Sequence, residues 1–331
     1  VIDGVALTAE DDVSSKASNR RKPQRWIDGL FSRATFFATL VLLLLLGGVV
    51  LSLTQGALPA LLHFGFGFLI STDWNPVTDQ YGAAVAIVGT LASALAAMAV
   101  GIPLSFGIAF FLTELCPHVL REGVAIAVEL LAAVPSVVYG IWGLFVFAPF
   151  MQEHIEPLVI HSLGALPWVG ILFAGPPLGI GVLTAGIILG LMVLPFIATI
   201  MVDVFLAVPA AYKESAYGLG CTRFEVVWNV VIPFGRRGIV GGIMLGLGRA
   251  LGETMAVTFV IGNAHTLRAS LLAPGSTIAS TIANEFTEAV GTLYTSSLLA
   301  LGLILFVISL IVLGLSKALL SRAGSAAGRA P

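Results

Sequence analysis

Charge is scarce in these 331 residues. Only 10% are Asp, Glu, Lys or Arg and 58% are hydrophobic, whereas about a quarter of an ordinary soluble domain is charged. So apolar a chain cannot clothe a globule in water, which excludes a solvated enzyme. The net charge of -2 leaves no basic footprint for a phosphodiester backbone, so nucleic acid is set aside as a partner. Cysteine is nearly absent. Cys116 and Cys221 stand far apart, without C-x-x-C or Cys/His ligand spacing, and read as free thiols. The five histidines show no metal spacing, and neither H-E-x-x-H nor G-x-S-x-G occurs, so neither a metal site nor a hydrolytic constellation is expected. A G-x-x-x-x-G-K-[ST] loop is missing as well, so nucleotide phosphates cannot be cradled in the usual way. Gly246-x-Gly248 has no strand before it and lacks the third glycine in place, which excludes a dinucleotide fingerprint.

What the chain has instead is long apolar runs. Crossing about 30 Å of hydrocarbon takes about 20 helical residues at 1.5 Å each, and six runs qualify: Ala34–Leu53, Ala83–Leu112, Val124–Pro149, Leu178–Val208, Ile239–Val260 and Ser297–Leu315. They stay apolar on consecutive positions, which no barrel strand does, so the expected fold is all-α: a polytopic membrane protein with six transmembrane helices. Basic residues collect on the cytoplasmic side of a membrane. Fourteen of the sixteen Lys and Arg fall in the segment before the first run, the second and fourth loops and the last tail. Arg268 stands alone on the other side, and Arg249 is inside a run. Both termini are therefore expected in the cytoplasm.

Three regions follow: a cytoplasmic tail over 1–33, a membrane domain over 34–318 and a second tail over 319–331. The first run lacks a short h-region with a cleavage site, so it reads as a retained anchor. Residues 1–24 look disordered. Trp26, Ile27, Leu30 and Phe31 share a face at helical spacing, either as an interfacial helix or as the first turns of the first span.

The longest cytoplasmic connection, 209–238, reads as two short helices around a glycine turn. Pro209 suits a first helical turn, Gly218 and Gly220 stop the first helix, and Thr222-Arg-Phe-Glu225 is a capping box opening a second that ends before Pro233. It presents Tyr212, Ala216, Leu219 and Phe224 in a basic setting, which suits insertion into a partner's groove; the alternative is an ordinary solvated loop. Glu214-Ser-Ala216, Gly220 and Val230-Val-Ile232-Pro233 resemble the EAA motif of ABC-transporter permeases at the same spacing, with Ser215 for the middle alanine and Val230-Val-Ile232 for I-x-L. The resemblance implies a coupling helix that docks on a cytosolic ATPase, with Glu214, Ala216, Gly220 and Pro233 as its motif positions.

Arg249 lies ten residues into the fifth run, about 15 Å deep, where a charge costs about 2.5 to 3.5 kcal/mol on insertion scales and needs a polar partner or cavity. Glu253 at i+4 shares its helix face, in the less favourable order for an intrahelical pair. A guanidinium offers a fork of donors to a tetrahedral oxyanion, and a carboxylate accepts the proton of a hydrogen-bearing one. The pair therefore suits phosphate; alternatively it only locks the bundle. Gly248-Arg249-Ala-Leu-Gly252-Glu253-Thr-Met-Ala-Val257 closely resembles a segment of phosphate-transporter permeases, and Glu129-Leu-Leu-Ala-Ala-Val-Pro135-Ser-Val-Val-Tyr139-Gly140 is similar to a second.

With three motifs in order, the chain resembles the PstC-type permeases of phosphate ABC importers, which have the type I importer permease fold. The resemblance implies a prokaryotic plasma-membrane subunit that is not itself an enzyme and binds no cofactor. ATP and Mg would be used by a PstB-type ATPase, in two copies. A homologous PstA-type permease would complete the pathway, an extracytoplasmic phosphate-binding protein would deliver substrate, and lipid would surround the whole. Arg249 and Glu253 would be required for transport, and Glu129 and Pro135 are motif positions without an assigned role; the alternative for Pro135 is that it only kinks its helix. Competing readings are a permease for another oxyanion, such as sulfate or molybdate, and an intramembrane acid-base enzyme. The glycines from Gly238 to Gly252 favour close helix packing over a broken helix. Ile278, Ile282 and Phe286 mark an external amphipathic helix within 276–289, which either receives the binding protein or forms a lid on the bundle. Asp203 reads as the solvated end of the fourth span.

Overall fold

The computed structural model describes residues 3–327 apart from 165 and 168, with side chains described between 28 and 318. The chain divides into one compact unit ending at Gln55 and another starting at Gly56. The first is the greater part of α1 (Asp3–Phe64), whose apolar stretch exposes Phe36, Leu44 and Leu45, as a lipid-facing helix does. The backbone of α1 runs unbroken through the 25–33 stretch, while the side chains of Trp26 and Ile27 lie outside the described residues. So do those of the 319–331 tail.

In the second unit α2 (Gly67–Ile70) leads to a hairpin in which β1 (Trp74–Asn75) pairs antiparallel with β2 (Gln80–Tyr81). The long helix α3 (Ala84–Phe110) follows, then α4 (His118–Ala133), α5 (Ser136–Trp142), α6 (Ala148–Phe150) and α7 (Glu156–Ser162). Next come α8 (Val182–Leu206), α9 (Ala210–Gly218), α10 (Arg223–Val226), α11 (Ile232–Leu251), α12 (Met255–Val260), α13 (Ile278–Glu285) and α14 (Thr292–Ala327). Among the described residues five helices are long and apolar enough to cross a membrane, or six if the bent pair His118–Ala133 and Ser136–Ser162 is one span.

Two spans differ from the sequence reading. The third is not one helix over Val124–Pro149: the chain turns through 89° between α4 and α5. Pro135 gives the physical reason, since it disfavours the helical region for Val134, which sits at ψ 127°. The fifth starts upstream of Ile239 and stops at Leu251. The second loop helix, expected to end before Pro233, runs on into it through a π-turn at Val227–Val231.

That π-turn follows a rule. Each of the four π-turns among the described residues ends two positions before a proline: Phe111–Leu115 before Pro117, Gly143–Phe147 before Pro149, Met151–Ile155 before Pro157, and Val227–Val231 before Pro233. A proline offers no N–H to the carbonyl four residues back and its ring collides with it. In all four cases the residue before the proline donates to the carbonyl five back, as Cys116 does to Phe111, so the turn widens; the helix continues through the last three, whereas the first ends at Cys116, which is extended at ψ 127°.

The core is the seam of α3 and α8, with small residues facing each other. A Cβ on Gly190 would stand 2.9 Å from the Ala97 carbonyl oxygen, and one on Gly186 would stand 2.5 Å from the Cβ of Ala96. Surrounding lipid is as apolar as leucine, so close packing rather than exclusion of water holds such a seam. Ser105 adds a hydrogen bond, its Oγ donating to the Leu194 carbonyl at 2.9 Å. A second core joins Ala57, Ala60, Phe68, Tyr81, Ile278, Leu298 and Leu301. The external helix α13 belongs to it: Ile278 is fully buried and its N–H donates to Thr90 Oγ1 of α3 at 2.9 Å, so α13 packs on the bundle.

Candidate functional site

Arg249 lies in the last turn of α11, two residues before the helix stops at Leu251. Gly252 caps it, Glu253 and Thr254 form the gap, and α12 begins at Met255. The expectation that Arg249 and Glu253 share one helix face is therefore corrected, whereas the close packing expected of the glycines holds up to the break: Gly238, Gly242 and Gly246 lie against Val204, Ile200 and Ile197 of α8. The turn closes with Gly252 N–H donating to the Arg249 carbonyl at 3.3 Å and Glu253 N–H to that of Ala250 at 3.4 Å. Glu253 is half-buried, and among the described residues it makes no ion pair with Arg249.

The exposed guanidinium of Arg249 lies instead over the ring of Phe196 on α8, 4.3 Å from its centroid. A cation over an aromatic face is held by the ring quadrupole, a contact that uses none of its N–H donors for a conventional acceptor. Among the described residues no acceptor occupies them. Phe196 carried no sequence signal.

The other broken span meets this one. At Pro135 the Tyr139 hydroxyl reaches back across the bend and donates to the Leu131 carbonyl at 2.9 Å. One residue on, a Cβ at Gly140 would fall 2.6 Å from the Phe259 ring and 3.2 Å from Ala256 Cα. The glycine lets α5 lie directly on α12, so the two resemblance-bearing segments, 129–140 and 248–257, touch through the short helices that follow their breaks.

Glu129 on α4 is exposed and lines a cavity of about 70 Å³ together with Thr199 and Asp203 of α8. Phe196, Thr199 and Asp203 stand at i, i+3 and i+7 on one face of α8, so Arg249 and these carboxylates border the same stripe.

The 209–238 connection folds as its local chemistry dictates. Thr222 Oγ1 accepts from Glu225 N–H while Thr222 N–H donates to the Glu225 carboxylate at 2.7 Å, the reciprocal capping box. Gly220 has φ +89°, which suits glycine. On α9 Glu214 is exposed and Ala216 buried; Tyr212, Leu219 and Phe224 present 57%, 86% and 58% of their surface. Pro233 opens α11.

The inner face of α9 is tied to a residue the sequence reading passed over. Lys213 Nζ lies 2.7 Å from Glu114 Oε1, and the Tyr217 hydroxyl donates to Glu114 Oε2 at 3.2 Å. Burial, followed by the Glu114 carboxylate, raises the pKa of the Tyr217 phenol. Arg223 Nη1 donates to the main-chain carbonyl of Glu114 at 3.0 Å, and Arg121 Nη2 to that of Thr113 at 3.2 Å.

At the end of α13, just before α14, Glu285 gathers three donors. Trp74 Nε1 and the Tyr294 hydroxyl each lie 2.7 Å from Oε2, and His265 Nε2 lies 2.8 Å from Oε1. Burial works to raise the Glu285 pKa, but the hydrogen bonds from His265, Tyr294 and Trp74 outweigh it and leave it lowered. Burial and the neighbouring Asp79 push the Tyr81 phenol up to about 12.

Residues 101–324 match the family described as Binding-protein-dependent transport system inner membrane component. The chain is 57% identical over 301 residues to the phosphate transport system permease protein PstC of Mesorhizobium japonicum, covering 91% of this chain and 92% of that protein. The PstC of Pasteurella multocida is 53% identical over 315 residues, 95% and 98% of the two chains. Among solved structures, an inward-facing form of the MetNI methionine ABC transporter matches with a TM-score of 0.50 at 14% identity, over 71% of this chain and 91% of that one. That likeness is one of fold.

Proposed function

The chain belongs to the family of binding-protein-dependent transport system inner membrane components, and on that premise we propose that it is the PstC-type half of the phosphate pathway in an ATP-driven importer. It is a multi-pass membrane permease and not an enzyme; hydrolysis falls to a separate ATPase subunit. The reading extends to the partners. A PstA-type permease faces it across the pathway, two copies of a PstB-type ATPase bind ATP and Mg, and an extracytoplasmic phosphate-binding protein supplies the solute. Both termini lie in the cytoplasm on this reading, which the distribution of Lys and Arg supports.

The observation that carries the reading is the Arg249 guanidinium, lying over Phe196 beside a helix break with no acceptor on its donor fork among the described residues. A tetrahedral oxyanion accepts such a fork through two oxygens at once. Glu253, in the break itself, accepts the proton of a hydrogen-bearing phosphate and repels a fully ionised anion. On the cytoplasmic side α9 and the residue that caps it offer Tyr212 and Leu219, with Glu214 beside them, to a groove on the ATPase, and the turn at Gly220 holds that presentation.

Uptake of radiolabelled phosphate by cells that depend on this permease tests the reading. Arg249→Gln is expected to lower uptake about a hundredfold, the cost of a lost charge-assisted bidentate contact, and Glu253→Gln to lower it less. Uptake at the wild-type rate in both variants would remove the two residues from the pathway. Accumulation of labelled sulfate or molybdate in place of phosphate would instead establish a permease for a different oxyanion.

A further inference from the structure

We propose that Glu114 is a positioning residue, the strut that carries movement of α9 into the membrane core. The inference rests on the docking of α9 on an ATPase put forward above. Four cationic or hydroxyl groups from three separate elements converge on the last turn before Cys116: Arg121 from α4, Lys213 and Tyr217 from α9, and Arg223 from α10.

Each contact has a local reason. The last carbonyls of a helix have no intrahelical partner and carry its negative end. Here those of Thr113 and Glu114 accept from guanidinium groups. The π-turn forced by Pro117 widens this same segment. The Glu114 carboxylate takes the two side chains of α9 that lie four residues apart on one face, so α9 is gripped along a full turn. Its other face, with Leu219 at 86% exposure, is left for a partner.

The pair is buried enough to stay closed. The Lys213 and Glu114 side chains are only 17% and 9% exposed, and separating them would leave an unpaired charge out of water. When α9 moves, the end of α3 must follow it. From there the path is short: α3 is locked to α8 along the small-residue seam, and α8 carries Phe196, on which the substrate-facing Arg249 rests. Tyr212 also touches Phe234 of α11, with ring centroids 5.9 Å apart, but that is a contact between partly exposed rings that can slide.

A strut predicts uncoupling rather than loss of assembly. The test uses the complete complex, with permease pair, ATPase and binding protein in proteoliposomes, and measures phosphate moved per ATP hydrolysed. Glu114→Gln and Lys213→Met are each expected to lower that ratio about fivefold or more while the ATPase still co-purifies, and the exchange Glu114→Lys with Lys213→Glu to restore most of it. A ratio in Glu114→Gln equal to wild type would overturn the proposal, and so would an exchange variant as uncoupled as either single change. Amide hydrogen exchange over residues 210–218 decides the strut without phosphate. Glu114→Gln should speed it about tenfold and the exchange variant should slow it again, whereas wild-type exchange in Glu114→Gln would overturn the strut. A wild-type complex that hydrolyses ATP but moves no phosphate would fail the substrate reading, and the exchange measurement would still support or overturn the strut.

Discussion

The two ends of the bundle are fastened by different chemistry. Around α9 the ties are long flexible side chains reaching a helix end, Lys213, Arg223 and Arg121 onto residues 113 and 114, and Cβ atoms added at Gly218 or Gly220 would meet nothing within 4 Å. Around α13 the ties are stacked rings, such as Tyr81 on Tyr294 and Trp74 on His265, and glycines pressed against backbone. A Cβ on Gly89 would fall 2.0 Å from the Ser276 carbonyl oxygen, and one on Gly181 would fall 2.5 Å from that of Leu272. Side chains that hold a helix end can travel with it and keep their links closed, whereas backbone jammed on backbone cannot shift. The α9 end is built to be moved, and the α13 end holds its place while that happens.

The sharpest way to break this contrast is Gly89→Leu. No rotamer relieves a clash with main chain, so we expect a loss above about 4 kcal/mol and no folded protein recovered on size-exclusion chromatography in detergent. Glu285→Gln comes next. It removes charge from a carboxylate that accepts three hydrogen bonds, which costs about 1.5 to 3 kcal/mol at neutral pH. Because the folded carboxyl has a lowered pKa, its stabilisation is fully present above the unfolded carboxylate value and disappears as pH falls through the folded one. Thermal melts from neutral to acid pH should therefore show the wild type and the variant converging toward low pH. Divergence there would reverse the assignment. Gly220→Ala, which forces a side chain into the left-handed region at φ +89°, should cost about 1 to 2 kcal/mol, read as weaker retention of the ATPase in co-purification. Gly218→Ala lies within α9 with open space around it and should change stability by less than about 1 kcal/mol, in the favourable direction.

What could be read from the chain was local or averaged over a whole run. Apolar runs place the spans, and Thr222 with Glu225 announces a capping box that the fold contains. Gly220 sits where only glycine is at ease. The break after Leu251 is the alternative that the glycines left open, and no proline within Ala250 to Val260 marks it over a continuous span. Periodicity failed at the prolines for a different reason. Each π-turn advances the helix face out of phase, so an uninterrupted count, as from Val124 to Pro149, rotates the wrong residues inward. The partners of Arg249 and Lys213 were out of reach. Phe196 and Glu114 are fixed by how α3, α8, α9 and α11 pack, and no spacing along the chain encodes that.

The seating of α5 on α12 has a genetic consequence. Each is a short rod cut loose from its own span by a bend or a gap, and each leans on the other through the notch at Gly140. Neither can tilt alone. A selection for second-site suppressors of damage in Met255–Val260 should therefore gather in Ser136–Trp142, far away along the polypeptide yet in van der Waals contact across the fold.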